Sequence, residues 1–252
     1  MEYWELEGIA QGSLAIMNPT SGPGICEALA PAGLSPGDRV IDVGCGTGTV
    51  LALLAKEYGI SGTGIDLREK FCRQAEQNLW KQGLAHRVRI LCGDAAGYIP
   101  DQTFDCAVCL GASFIWGGIE SAIAALRKMV HTDGWILIGD RYWRNERVSP
   151  EFAREWPDIL TEYEFLCLTR AERCTLAGVV RSGEDDWDRY ESAIWQACRR
   201  WLNDHPADPR RESVREYLDR IQEEYLGYGR EHVGWAMYLL AAGGDSETVE
   251  SG

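Results

Sequence analysis

Three aspartates, each closing an apolar segment, carry the clearest chemical signal in this sequence: Asp42, Asp66 and Asp94. Asp42 stands near the end of the run VIDV, where a carboxylate is costly unless a ligand or hydrogen bonds meet it. Gly44, Gly46 and Gly48 follow at once, with Cys45 between the first two. Such a run lets the backbone turn sharply and approach a ligand where a Cβ would collide. Asp66 ends GTGIDL, just before Leu67 and 18 residues beyond Gly48. In dinucleotide-binding folds an acid at about this separation accepts hydrogen bonds from ribose hydroxyls. The dinucleotide fingerprint G-x-G-x-x-G nevertheless fails, because Thr49 stands where its third glycine belongs. Asp94 follows a third apolar run in LCGDAAGY, just before Ala95. A helix cap is the plain alternative for one such acid. Three acids at three successive segment ends are harder to explain as caps.

These residues need strands to end where they stand. The spacing predicts strands at 40–43, 62–67, 88–92, 104–110 and 135–139. Helices are expected between them at 50–58, 68–83 and 119–130, with turns at 35–38 and 132–134. Strand four, FDCAVCL, is nearly continuous in apolar residues, as a parallel strand covered on both faces should be. Strands alternating with helices give a doubly wound α/β sheet, with ligands at the carboxyl ends beside strand one. Asp42, Asp66, Asp94, Gly111 and Asp140 all map to that edge. Residues 1–36 form a leader of short helical pieces, either a packing strap or one wall of the pocket. Further on, a helix is expected over 149–165 and a sixth strand over 174–182. Two amphipathic helices follow at 186–203 and 209–228, the second starting at Asp208-Pro209, and then a last strand at 232–242.

With Asp42 two residues before a G-x-G-x-G turn, VIDVGCGTGT resembles the first motif of class I S-adenosylmethionine (AdoMet) methyltransferases. GTGIDL, LCGDAAGY, FDCAVCLGASFIWGG, LIGDRYWR, DDWDRYESAIW and YGREHVGWAMY extend the resemblance over nearly the whole chain. Together they are similar to one group of stand-alone bacterial and archaeal class I enzymes whose acceptor is not assigned. The resemblance implies one methyltransferase domain over 1–252, with a seven-stranded, mostly parallel sheet whose last strand runs antiparallel. Within it, 37–145 would bind AdoMet, 184–230 would form a helical insertion or lid, and 231–242 would hold the last strand. It also implies roles: Asp66 for the ribose, Asp94 for the adenine amino group, and Asp42, Gly44, Cys45, Gly46, Gly48, Leu67, Ala95, Leu110 and Gly111 lining the cofactor. One departure is visible, because 168–172 is short for the helical stretch that usually precedes strand six.

Methyl transfer asks mainly for position and dryness, and a base is needed only if the acceptor must lose a proton. No catalytic residue is therefore assigned. Asp140, Tyr142, His131 and His232 are candidates, each more readily structural, and His86 and His205 lie in polar stretches. Trp116, Tyr142, Trp143, Trp187 and Tyr190 form an aromatic set that could line a dry acceptor pocket or hold a cation on π-faces. Ordinary core packing is the competing explanation. The 252 residues carry 25 Lys+Arg against 39 Asp+Glu, a net charge of −14. That balance disfavours nucleic acid and anionic membranes as partners. The leading reading is an AdoMet-dependent methyltransferase acting on a small-molecule acceptor. The nine cysteines are scattered without a C-x-x-C, and the first residues lack a secretory pattern, so a cytoplasmic setting with no bound metal is expected. Three alternatives remain: a thiol-dependent metalloid methyltransferase using Cys26, Cys167 and Cys174, a nicotinamide oxidoreductase, and a non-catalytic AdoMet-binding sensor or assembly subunit.

Overall fold

A computed structural model of the chain describes residues 2–145, 147–148 and 150–243. Its centre is a parallel sheet built from β1 (Arg39–Val43), β2 (Ser61–Asp66), β3 (Val88–Cys92), β4 (Phe104–Leu110) and β5 (Val130–Trp143). The helices α1 (Tyr3–Ala10) and α2 (Gly22–Leu29) precede it, and α3 (Thr49–Glu57), α4 (Glu69–Lys81) and α5 (Ile119–Met129) connect its strands. In α4 the residues Phe71, Cys72, Ala75 and Leu79 are buried along one stripe, and the charged residues face outward. Every residue of β4 except Asp105 is buried, as its composition requires.

The second half adds α6 (Pro150–Glu155), β6 (Leu160–Thr161), α7 (Glu162–Ala171), β7 (Thr175–Arg181), α8 (Glu184–Asp204), α9 (Arg211–Glu224) and β8 (Val233–Ala241). The sheet order is β3-β2-β1-β4-β5-β8-β7, with β6 paired to β5 off that path. β8 runs antiparallel to both β5 and β7. This is the class I methyltransferase arrangement with one short additional strand. β1 and β4 run parallel, but the order in which strands are added reverses between them, so the switch point lies where Asp42 ends its strand.

Several boundaries differ from the sequence expectation. The turn at 132–134 lies inside β5: Phe104 pairs with Val130, the register shifts, and Cys106 pairs with Trp135. The intervening polar residues bulge out while the strand continues. At its other end β5 runs on to Trp143, because β8 pairs with it as far as Val233. The helix expected over 149–165 is broken, since Pro157 cannot continue α6. A new helix, α7, starts behind Thr161, whose hydroxyl accepts from the Glu164 N–H at 3.2 Å while Glu164 accepts from the Thr161 N–H at 2.7 Å. The stretch before the sixth strand is thus not short. α9 begins at Arg211, because the Asp208 carboxylate holds the Arg210 N–H at 2.8 Å in a separate turn. It then runs through a π-helical segment, Tyr225–Gly229, before β8.

Two buried clusters cover the faces of the sheet. One holds Ile25, Leu51, Val108, Leu137, Trp235 and Met237. The other holds Ile41, Ala107, Ile123, Ile138, Phe165 and Tyr238. A third contains no strand residue: Ala10, Ile194, Cys198, Val214, Tyr217 and Leu218 join α1, α8 and α9 into a helical cap. No helix among the described residues is long and apolar enough to cross a membrane.

Candidate active site

The carboxyl edge of the sheet collects the acidic residues. At the end of β1, Asp42 is 3 % exposed, and its Oδ2 is buried with no hydrogen-bond partner among the described residues. Burial first, and the Asp66 charge second, push its carboxyl up to about 7. Such an unmatched buried oxygen is uncommon in a strand and sets Asp42 apart from the other acids at this edge.

The turn after β1 is held by the backbone and by Asp66. The N–H groups of Gly44 and Cys45 both donate to the Ile65 carbonyl, at 2.9 and 3.0 Å. Asp66 accepts from the Gly46 N–H at 2.9 Å with one oxygen and from the Arg68 N–H at 2.8 Å with the other. Gly44 has φ +77°, and a Cβ there would stand 2.4 Å from the Ala112 Cβ. Gly46 has φ +51°, and its Cβ would stand 2.3 Å from the Met17 Cε. Only glycine fits either position. Cys45 is buried, and burial raises its thiol pKa so that it stays protonated. At the end of β3, Asp94 is exposed and accepts the Ala96 N–H at 2.9 Å, while Ala95 is buried. Leu67, beside Asp66, is 70 % exposed.

The leader crosses this edge as a strap. Thr47 donates its hydroxyl to the Ala15 carbonyl at 2.8 Å, and Tyr190 of α8 donates to the Met17 carbonyl at 3.3 Å. The Asn18 amide donates to the Leu110 carbonyl at 3.2 Å, and the Trp235 indole donates to the Thr20 hydroxyl at 2.9 Å. The Trp235 ring lies over Gly111, whose Cβ would come within 3.0 Å of it.

The aromatic set is not gathered at one place. Adjacent strand residues face opposite ways, and Tyr142 and Trp143 are adjacent in β5. Tyr142 is buried with Phe165 and Tyr238 on one face of the sheet. Trp143 packs on the other face, edge-on to Phe152 at 5.6 Å. Trp187 and Tyr190 accompany Trp143, whereas Trp116 packs with the Tyr142 cluster. Tyr142 is therefore a core residue in this structure, pressed against Gly234. Trp187 is buried and stacked on Tyr225 at 6.0 Å. Of the candidate bases, Asp140 is bonded to the Ser113 hydroxyl and to the Arg141 N–H. His131 is paired with Asp105 at 3.1 Å, beside the bulge in β5 and away from the carboxyl edge.

Residues 40–134 match a family profile described as a methyltransferase domain. The structure superposes with a TM-score of 0.88 on a SAM-dependent methyltransferase from Geobacter sulfurreducens, solved with S-adenosyl-L-homocysteine, at 35 % identity over 94 % of this chain and 97 % of that one. A second such enzyme, from Thiobacillus denitrificans, gives 0.88 at 36 % identity over 95 % and 99 %. YjhP of Escherichia coli is 34 % identical over 83 % of this chain and 86 % of its own length, and its crystal structure superposes with a TM-score of 0.89. The chain belongs to the class I AdoMet-dependent methyltransferases.

As in any methyltransferase of this class, the cofactor has to fit the chain's own residues, and here it does. Asp42 has an unpaired carboxyl oxygen beside the turn, and the turn has no room for a Cβ at Gly44 or Gly46. Among the described residues no three His, Cys, Asp or Glu side chains are grouped to hold a metal, and all nine cysteines are free. Sequence reasoning missed the strap residues Met17, Asn18 and Thr20 and their anchor Trp235. Asn18-Pro19 reads as loop punctuation, and Trp235 as one more apolar strand residue, because their partners are distant in sequence.

Proposed function

We propose that this methyltransferase acts on a small molecule held between the carboxyl ends of β4 and β5 and the helical cap. One observation carries it: the strap is bonded across that edge by Thr47, Tyr190, Asn18 and Trp235. An acceptor reaching the edge has to fit beneath this covering, which favours a small molecule over a nucleic acid or a folded protein. In this reading Asp66 and Leu67 meet the ribose and adenine, Asp94 meets the adenine amino group, and Leu110 and Gly111 border the reacting end. Each Asp66 oxygen already holds one backbone N–H and keeps a lone pair for a hydroxyl.

AdoMet supplies a methyl group on a sulfonium and leaves as S-adenosyl-L-homocysteine. The protein's part is to orient both partners and exclude water. The rings of Trp143 and Tyr190 and the strap supply the dryness. No residue is assigned as base.

The test is incubation with methyl-labelled AdoMet and a fractionated extract of the source organism, read by mass spectrometry. Label in the low-mass fraction is the expected result. Label confined to protein or nucleic acid would reject the small-molecule acceptor. S-adenosyl-L-homocysteine binding without any labelled product would favour the non-catalytic AdoMet-binding alternative.

A further inference from the structure

Arg141, on the cap-facing side of β5, forms no ion pair among the described residues. Gly139 pairs with Leu110 at the end of β4, and Arg141 lies two residues further along the same face. That places it roughly 7 Å beyond the reacting edge along the strand. Its guanidinium stacks over the Trp156 ring, 4.0 Å from the centroid. The side chain is partly buried, and burial pulls its pKa below the usual value. Among the described residues its side chain makes no ion pair and no hydrogen bond. The five N–H donors of an arginine, arranged as a planar fork, are matched to a carboxylate or phosphate.

Asp140 and Glu224 act on Arg141 through their charge without pairing with it, and the nearby acids hold other groups. The Asp140 carboxylate takes the Ser113 hydroxyl and the Arg141 backbone N–H. Glu224 pairs with Arg220 at 3.5 Å, and Glu7 with Arg68 at 3.8 Å. Glu191 is pushed up to about 7 by burial and by Glu224, so much of it is protonated near neutrality. The Tyr190 phenol donates to the Met17 carbonyl, and burial raises its pKa, so it stays neutral. A desolvated cation without a partner is costly. The chain is acidic, with 39 Asp+Glu against 25 Lys+Arg, yet no carboxylate among the described residues pairs with this guanidinium.

We propose that Arg141 binds the acceptor, and that the acceptor carries an anionic group, carboxylate or phosphate, on an apolar body. The inference rests on the acceptor site assigned above and adds its charge. Stacking on Trp156 fixes the plane of the guanidinium and leaves its N–H edge for the anion, while the partly buried Trp143 and Tyr190 lie on the same face.

The experiment uses the full chain saturated with S-adenosyl-L-homocysteine and titrated with benzoate, phenyl phosphate or the neutral isostere benzamide, read by saturation-transfer NMR. At least one of the two anions should bind at least about tenfold more tightly than benzamide, and the preferred one identifies the group. Arg141→Met should weaken that anion at least about fivefold, and Arg141→Lys should weaken it less. Equal binding of anions and benzamide, no binding of either anion, or anion binding unchanged in Arg141→Met would each overturn the proposal. If Arg141→Met fails to fold, the comparison of anions with benzamide on the wild type and the Arg141→Lys variant still decides. Calorimetry with S-adenosyl-L-homocysteine runs alongside. Wild-type protein that does not bind it would defeat the underlying methyltransferase site, which is a different failure from binding it and ignoring anions.

Discussion

A buried carboxylate with an open oxygen makes a prediction about stability as well as binding. Burial keeps the folded Asp42 protonated up to about 7, whereas an unfolded aspartate ionises near 3.8. Between those values the folded chain holds more protons than the unfolded one, so stability contributed by this residue falls as pH rises from about 4 to 7. Asp42→Asn removes the titration. The ligand-free variant should melt a few degrees above wild type at pH 8 and show little difference at pH 4. Its affinity for S-adenosyl-L-homocysteine should fall by about tenfold or more, because an NH2 donor replaces one carboxyl oxygen and the ionised form is lost. Thermal melts at the two pH values and calorimetry check both arms. An equal melting difference at both pH values would remove Asp42 as the titrating group. A neighbouring substitution has the opposite sign for stability. Gly46→Ala puts a Cβ 2.3 Å from the Met17 Cε at φ +51°, so it should lower both the melting temperature and S-adenosyl-L-homocysteine affinity. An unchanged affinity would show that Met17 yields freely.

Among the elements, the strap gives the sharpest expectation. Its residues form no regular structure between α1 and α2, and side chains on α8, β8 and the glycine turn hold it. Asn18→Ala removes the buried bond to Leu110, worth about 1 kcal/mol, and leaves that carbonyl unpaired. Hydrogen exchange over residues 12–20 should then speed up while β1 and β4 stay protected. Uniform acceleration would mean that Asn18 supports the whole core. The strap also shows why some elements could be read in the sequence and others could not. The strands bearing Asp42, Asp66 and Asp94 announce themselves through local apolar runs and glycine spacing, and their order follows from the alternation with helices. Asn18, Thr20 and Trp235 carry no such local signal, because their bonds span 92 and 215 residues. The continuation of β5 to Trp143 has the same origin: partner strand β8 sets it, not its own composition. Grouping Tyr142 with Trp143 failed for a simpler reason. In a segment extended far enough to be a strand, neighbours point apart, and only the extension of β5 makes that rule apply.

Across the whole molecule, the leader and the insertion pack against each other. α8 spans both regions: Trp187 and Tyr190 belong with the sheet cluster, while Ile194 and Cys198 pack with Ala10 of α1 and with Val214, Tyr217 and Leu218 of α9. The cap thus joins segments from opposite ends of the sequence, and its core shares no residue with the strands that carry the glycine turn. Ala10 is fully buried at that junction. Ala10→Glu would force a carboxylate into the cap, at a cost that the helices can relieve only by separating. The expected outcome is faster hydrogen exchange through α1, α8 and α9, with β1, β2 and β4 still protected. S-adenosyl-L-homocysteine binding should weaken only modestly, since its proposed contacts lie on the sheet edge, whereas anion binding at Arg141 should be lost with the cap that desolvates it. Equal loss of protection in sheet and cap would show instead that the two fold as a single unit. The acceptor and cofactor halves of the site would then stand or fall together.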